Sequence, residues 1–195
     1  MNTWRAIVFA LVWVAFCLPI LLQWLTHPAL LRRRLRGGPL FEKQASQKLI
    51  TSLLVLCILA LAAVSALDNV SGWSHVPVFF VLIGDVVVAS GLTLSFLVFR
   101  VNPFAAAAVT VEPGQAVIST GPYALVRHPL YSGGLLVFLG IPLALGSWWG
   151  LVLFAPILAL IIWRLTNEET YLSTHLPGYL EYRARVTHRL IPSLW

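Results

Sequence analysis

Two short polar clusters hold the residue types that can do chemistry. The first is Gly121-Pro-Tyr-Ala-Leu-Val-Arg-His-Pro-Leu-Tyr131, which packs a turn, an Arg-His pair and two tyrosines into eleven residues. The second is Arg164-Leu-Thr-Asn-Glu168-Glu169. Arg127 and His128 can receive a carboxylate, and a helix start beside them adds free backbone N–H groups that attract anions. His128, Tyr131 and Glu168 are the residues here able to take a proton. Arg164 and Glu168 are four apart and share a helix face. Glu169 falls off that face and is expected to point elsewhere, into solvent. Taken alone, each piece has a plain alternative. His128 can simply cap a helix, and Arg164–Glu168 can be a surface ion pair contributing roughly a few tenths of a kcal/mol.

These clusters sit among apolar segments that must position them. The chain has 195 residues, 59% hydrophobic and only 10% charged, with a mean hydropathy of +0.87. A soluble domain carries about a quarter charged residues. A bilayer core of about 30 Å needs about 20 apolar residues per helix. Trp4–Leu25, Leu49–Leu67 and Val76–Phe99 meet or approach that length, and Tyr131–Trp163 exceeds it. Gly140, Pro142, Gly146, Ser147 and Gly150 interrupt the last run. It divides into Tyr131–Gly146 and Ser147–Trp163, with a tight turn near Gly146-Ser147. The prediction is an all-α integral membrane protein with about five transmembrane helices. It is read as a single membrane domain, 1–195, with three N-terminal helices in 1–100 and a second half, 101–195, built on the hairpin 131–163 and a tail. The first span is expected to be a retained helix, because its apolar run exceeds the core of about 7–15 residues of a signal peptide.

The hairpin decides how the clusters are read. Its two ends must meet, which brings His128–Tyr131 beside Arg164–Glu168. Pro129 disfavours a helical His128 and suits the first helical turn, so His128 should sit just outside the fourth span. A histidine, tyrosines, arginines and a glutamate then converge at one interfacial spot.

Charge placement orients the bundle. Loop 26–48 holds Arg32, Arg33, Arg34, Arg36, Lys43 and Lys48 against Glu42, whereas loop 68–75 holds Asp68 and no Lys or Arg. Arg100, Arg127, Arg164, Arg183, Arg185 and Arg189 flank the remaining ends. Basic residues favour the cytoplasmic side. Five spans with the N-terminus outside put every basic region, and both clusters, on the cytoplasmic face. The arginine run reads as a topology signal meeting lipid headgroups rather than as a nucleic-acid site. Cys17 and Cys57 read as buried apolar side chains with no metal spacing. Asp85 is the one acid inside an apolar span. It reads equally as a functional residue or as a residue paired within the bundle. Gly84, Ala89, Ser90 and Gly91 around it predict close helix packing.

Asn102-Pro103 and Glu112-Pro113-Gly114 are turn signals, and Gln115–Ser119 is expected to be a short β-type or extended run. In the tail, Pro177-Gly178 marks a turn. Tyr179, Tyr182 and Val186 then recur at helical spacing, which predicts an interfacial amphipathic helix or a lid over the site.

The ordered set Gly121-Pro-Tyr123, Arg127-His-Pro-x-Tyr131, Arg164-x3-Glu168-Glu169 and Tyr179-x2-Tyr182-x3-Val186-x2-Arg189-x2-Pro192 resembles the isoprenylcysteine carboxyl methyltransferase family, including its prokaryotic members and the related phospholipid methyltransferases. The resemblance covers roughly Val111–Trp195. It implies a membrane enzyme that moves a methyl group from S-adenosylmethionine to a lipophilic acceptor entering from the bilayer. The acceptor it points to first is an isoprenylcysteine-like carboxylate. The cofactor would lie in a cytoplasmic pocket built by the C-terminal half. By position, Gln115, Ala116, Val117 and Ile118 would contact it through backbone groups, and Tyr123, His128, Pro129, Leu130 and Tyr131 would line its pocket. Glu168 would hold a polar part of it, Arg164 would face the acceptor, and these two form the candidate catalytic pair. Many family members have His where this chain has Gln115, and Phe-Gly where it has Pro177-Gly178.

The residue types suit such a reaction. A sulfonium donor already carries the activation, so the protein mainly supplies position and a dry cavity. Phospholipid amines and small lipophilic thiols fit the same lipid-side entry. Two other classes compete: an NADPH-dependent membrane reductase of the sterol-reductase type, and a membrane scaffold or transporter. The first lacks the Arg-x3-Glu-Glu segment in this form, and the second leaves the polar set unexplained.

Overall fold

The computed structural model describes residues 3–26, 40, 42, 44–105, 111 and 114–195. Arg32, Arg33, Arg34, Arg36 and Lys43 of the basic loop, and the Glu112-Pro113 turn, lie outside the described residues. The described residues form helices and no strand: α1 Thr3–Thr26, α2 Ala45–Ser71, α3 Val78–Val101, α4 Pro129–Leu145, α5 Trp148–Val152, α6 Phe154–His175 and α7 Tyr179–Arg185. Each of the five apolar segments is helical. Three stretches, α2, α3 and Trp148–His175, are long and apolar enough to cross a membrane; α1 is apolar over Thr3–Pro19, and Pro129–Leu145 is a shorter apolar helix. Length explains the difference for α4. Its 17 residues extend about 26 Å at the helical rise, just under a bilayer core. Leu56, Leu59, Phe79, Leu82 and Val86 are exposed on α2 and α3, as lipid-facing side chains must be.

The expected turn at Gly146-Ser147 is present. Gly146 ends α4 in the left-handed region, at φ 74°, where glycine has no Cβ penalty. Ser147 Oγ then caps α5 by accepting from Gly150 N at 2.9 Å. The same hydroxyl donates to Asp68 Oδ2 at 2.6 Å. Asp68 Oδ1 also accepts from Ser74 N at 2.7 Å, so this acid ties the α2–α3 loop to the α4–α5 turn.

Helices α3 and α4 make the most extensive helix contact, and glycine permits it. A Cβ at Gly91 would stand 2.5 Å from Gly133 O, and one at Gly140 would stand 2.8 Å from Gly84 O. The two backbones therefore touch at paired glycines seven residues apart, the small-residue packing that helices in lipid use in place of a hydrophobic drive. Asp85 beside this seam is buried. Both its carboxylate oxygens lack a hydrogen-bond partner among the described residues, so the pairing expected as one alternative is not found there.

A main core joins Ile50, Leu54 and Leu61 of α2 to Val88, Val137, Ile141, Ile157, Ile161 and Leu165. A smaller one seats the tail: Leu176, Tyr179 and Tyr182 pack against Val111, Val117, Tyr123, Leu172 and Val186. Gln115–Ser119 has no helical or strand assignment, and its Val117 packs against the tail's Leu176, Tyr179 and Tyr182.

Candidate active site at the end of the bundle

The hairpin brings the two polar clusters together. Pro129 starts α4, and His128 precedes it with φ −124° and ψ 58°, outside the helix. The His128 side chain makes no capping bond. Its Nε2 lies 3.2 Å from Glu169 Oε1, and since a carboxylate only accepts, Nε2 carries the proton. Arg127 Nε donates to the same oxygen at 2.6 Å. Arg189 Nε donates to Glu169 Oε2 at 3.1 Å.

Glu169 is thus a buried anion among three basic side chains, not a solvated one. The misplacement has a physical cause. The helical period of α6 places Glu169 off the Arg164–Glu168 face, but that other face is covered by the start of α4 and by the tail. Backbone bonds hold the tail there: Arg127 N donates to His188 O and His128 N to Arg189 O, each at 2.9 Å. Arg127 Nη1 adds bonds to Val186 O at 2.8 Å and Thr187 O at 2.7 Å. The carboxylate that Arg127 and His128 hold is therefore the protein's own.

Arg164 and Glu168 are linked through a third group. Arg164 Nε donates to the Tyr131 hydroxyl at 2.9 Å, and that hydroxyl donates to Glu168 Oε2 at 2.6 Å. The other Arg164 nitrogens turn toward α2 and toward Glu42, three residues before its start. Nη2 meets Glu42 Oε1 at 2.6 Å, and Nη1 meets Gln47 and Thr51.

A cavity of about 360 Å3 opens beside these residues. Its polar end is lined by Arg127, His128, Tyr131, Arg164 and Glu168. Leu54, Val55, Ile58, Phe138 and Ile161 make an apolar wall. Gln115, Ala116, Val117, Ile118, Tyr123 and Leu130 also line it, whereas Pro129 is buried behind the wall and shapes the start of α4. The C-terminal half does not build this cavity alone. Thr51, Leu54, Val55 and Ile58 come from α2.

The tail forms another wall through Tyr179 and Tyr182. Tyr182 donates to Tyr123 O at 2.9 Å, latching α7 over the Gly121–Ala124 turn. Asn102 Nδ2 donates to the Tyr123 hydroxyl at 2.8 Å and ties that turn to the end of α3. Burial pushes the Tyr182 hydroxyl above the ordinary tyrosine range, with Tyr123 adding to the shift. Burial does the same to Tyr179, reinforced by the Glu169 and Glu168 charges. Both stay protonated donors at neutral pH. The Tyr179 hydroxyl is buried and has no partner among the described residues.

Sequence spacing alone did not reveal Glu42, Gln47 or Thr51. The available signal was modest: Glu42 is the only acid in the basic loop, and Gln47 and Thr51 share one face at the start of a span.

A profile of the phospholipid methyltransferase family matches residues 79–177. The chain belongs to that family. The matched stretch runs from α3 to the end of α6 and includes both polar clusters. In this family member, α1, α2 and the tail from Gly178 onward lie outside the match. Comparison with curated proteins finds no match. Membership makes the chain a methyltransferase of membrane type, in keeping with its apolar helices.

Proposed function

We propose that this methyltransferase takes a methyl group from S-adenosylmethionine and passes it to a lipophilic acceptor that reaches the cavity from the bilayer. The observation that carries the reading is the cavity's division: a charged end from α4 and α6, and an apolar wall from α2, α4 and α6. Its volume falls in the range of about 300–1,000 Å3 usual for ligand pockets.

The residues present fit the cofactor. The Tyr179 hydroxyl, without a partner among the described residues, offers a donor inside the cavity. Glu168 spends one oxygen on Tyr131 and keeps the other for a ligand's donor groups. The irregular stretch 115–118 lends backbone groups, and Tyr123, His128, Leu130 and Tyr131 complete the wall. When bound, the cofactor supplies an already activated methyl group. The chain's own residues hold the reactants in line and keep water out. The reaction needs a general base only if the acceptor is a protonated amine or thiol, and His128, Tyr131 and Glu168 are the residues in reach.

An isoprenylcysteine-like carboxylate is the first acceptor we propose, on the strength of the motif set. A phospholipid amine is the second, favoured by the family match and by one geometric fact. The Arg164 nitrogens are already turned to Glu42, Gln47, Thr51 and Tyr131, which leaves the guanidinium less free to clamp an anion.

For topology we propose five crossings with the N-terminus outside and the cavity at the cytoplasmic face, the inner membrane in a bacterium. Arg100, Arg127, Arg164, Arg183, Arg185 and Arg189 support it, since all lie toward the cavity end and basic residues favour the cytoplasmic side.

Calorimetric titration of S-adenosylhomocysteine into the detergent-purified protein tests the reading, with His128→Ala and Glu168→Ala alongside. Binding that weakens in both variants supports it. A well-folded wild-type protein that binds NADPH and not S-adenosylhomocysteine would reverse it in favour of the reductase class. Methylation of phosphatidylethanolamine against a prenylcysteine analogue then separates the two acceptors.

A further inference from the structure

Arg164 is gripped by residues that precede the family match. Its Nη2 pairs with Glu42 Oε1 at 2.6 Å, and both side chains are buried. Its Nη1 donates to Gln47 Oε1 at 3.1 Å and to the Thr51 hydroxyl. The Thr51 hydroxyl donates in turn to Glu42 Oε1 at 3.2 Å. Gln47 Nε2 donates to the Arg164 carbonyl at 3.3 Å. Glu42, Gln47 and Thr51 thus fix the guanidinium plane against α2. Its Nε faces α4, where it meets the Tyr131 hydroxyl at 2.9 Å. Because that hydroxyl accepts from Arg164, its single proton goes to Glu168.

The grip is far more than two helices need to pack. Burying an arginine costs several kcal/mol of solvation, and an apolar pair of similar volume would often stabilise as well or better. The face of α2 that carries Gln47 and Thr51 continues into Leu54 and Ile58 of the cavity wall. The helix that would contact an acceptor's apolar chain is thus the helix that orients Arg164.

We propose that Glu42 is a positioning residue for methyl transfer: with Gln47 and Thr51 it sets the orientation of Arg164 and, through Tyr131, of Glu168. This rests on the reading of the cavity as a methyl-transfer site. Glu42 acts through Arg164 and is not itself among the cavity-lining residues.

The test compares wild type, Glu42→Gln, Glu42→Asp and Thr51→Val in the full chain. Radiolabelled methyl transfer is measured with phosphatidylethanolamine and with a prenylcysteine analogue, and S-adenosylhomocysteine affinity is measured by calorimetry. Glu42→Gln keeps the side-chain shape and removes the charge. It should lower kcat by roughly tenfold to a hundredfold, the scale set by small misplacements of reacting groups. Affinity for S-adenosylhomocysteine should fall by much less than kcat, about threefold at most, because Glu168, which holds the cofactor in this reading, keeps its direct bond from Tyr131. Glu42→Asp should recover part of the rate, and Thr51→Val should show a smaller loss of the same kind. Glu42→Gln with kcat within about twofold of wild type overturns the positioning role while leaving the methyltransferase reading intact. Loss of S-adenosylhomocysteine binding together with the thermal midpoint overturns it as well, in favour of a purely structural ion pair. A wild-type protein that does not bind S-adenosylhomocysteine removes the reading of the cavity, and the positioning role with it.

Discussion

The Tyr131 hydroxyl donates to Glu168 across 2.6 Å, joining the first turn of α4 to a carboxylate one turn beyond Arg164. It can do so because Arg164 Nε occupies its acceptor side. The two residues are 37 positions apart in the chain, and only the α4–α6 hairpin makes them neighbours.

Tyr131→Phe removes one hydroxyl and strands two charged partners. Hydrogen bonds to charged groups are each worth about 1.5–3 kcal/mol, so kcat/KM should fall by about tenfold or more. The fold should survive, because the ring and its packing remain. Initial rates with S-adenosylmethionine, beside a thermal melt, check both parts. A variant of unchanged rate would mean that the relay has no part in turnover.

Glu169 makes a different demand, because it neutralises a buried arginine. Glu169→Gln leaves Arg127 without its anion, and breaking a buried pair in this way costs about 3–5 kcal/mol. Arg189→Gln should cost much less, since that side chain is 28% exposed and water already screens it. Melting temperatures in one detergent should therefore rank wild type above Arg189→Gln, and Arg189→Gln well above Glu169→Gln. The reverse order would contradict the placement of Glu169 at the centre of the cluster.

Glu169 also shows where reading the chain reaches its limit. Pro129 and Gly146-Ser147 announce a helix start and a tight turn through local backbone chemistry, and the structure has both where the residue types require. The glycines of α3 likewise announce a close approach, though not to which helix. Helical spacing misplaces Glu169 because it describes one helix at a time, and the groups that bury this side chain come from residues 127, 128 and 189. Glu42 and Arg164 lie 122 positions apart, beyond any periodicity. The polar clusters were legible because the hairpin had to close. The α2 side of the cavity was not, because nothing in a run such as Leu54-Val55-Leu56-Cys57-Ile58 tells a lipid-facing residue from a cavity-facing one.

The latch between α7 and the Gly121–Ala124 turn should be sensitive to alkali. Burial holds the Tyr182 and Tyr179 hydroxyls protonated above the ordinary tyrosine value, which is about 10. In the unfolded chain they ionise at that ordinary value. Stability is therefore complete below pH of about 10 and declines as pH rises beyond it, because only the unfolded state then gains by losing protons. Thermal midpoints measured from about pH 8 to pH 11 should fall at the upper end, and the fall should be shallower in Tyr182→Phe. An equally steep fall in that variant would assign the alkaline loss to other groups.

Asp85 supplies the opposite case, a polar residue whose removal should help. It is buried beside the Gly84–Gly140 contact, both oxygens lack partners among the described residues, and it does not line the cavity. A buried polar group without a hydrogen bond costs about 1–3 kcal/mol on the scale of protein substitutions. Asp85→Val removes that cost and supplies an apolar side chain of similar bulk. The thermal midpoint should rise by a few degrees, with S-adenosylhomocysteine affinity unchanged. A lower midpoint would mean that Asp85 has a partner in the folded protein that these contacts do not include. A normal midpoint with lost activity would move the residue from the structural to the functional side.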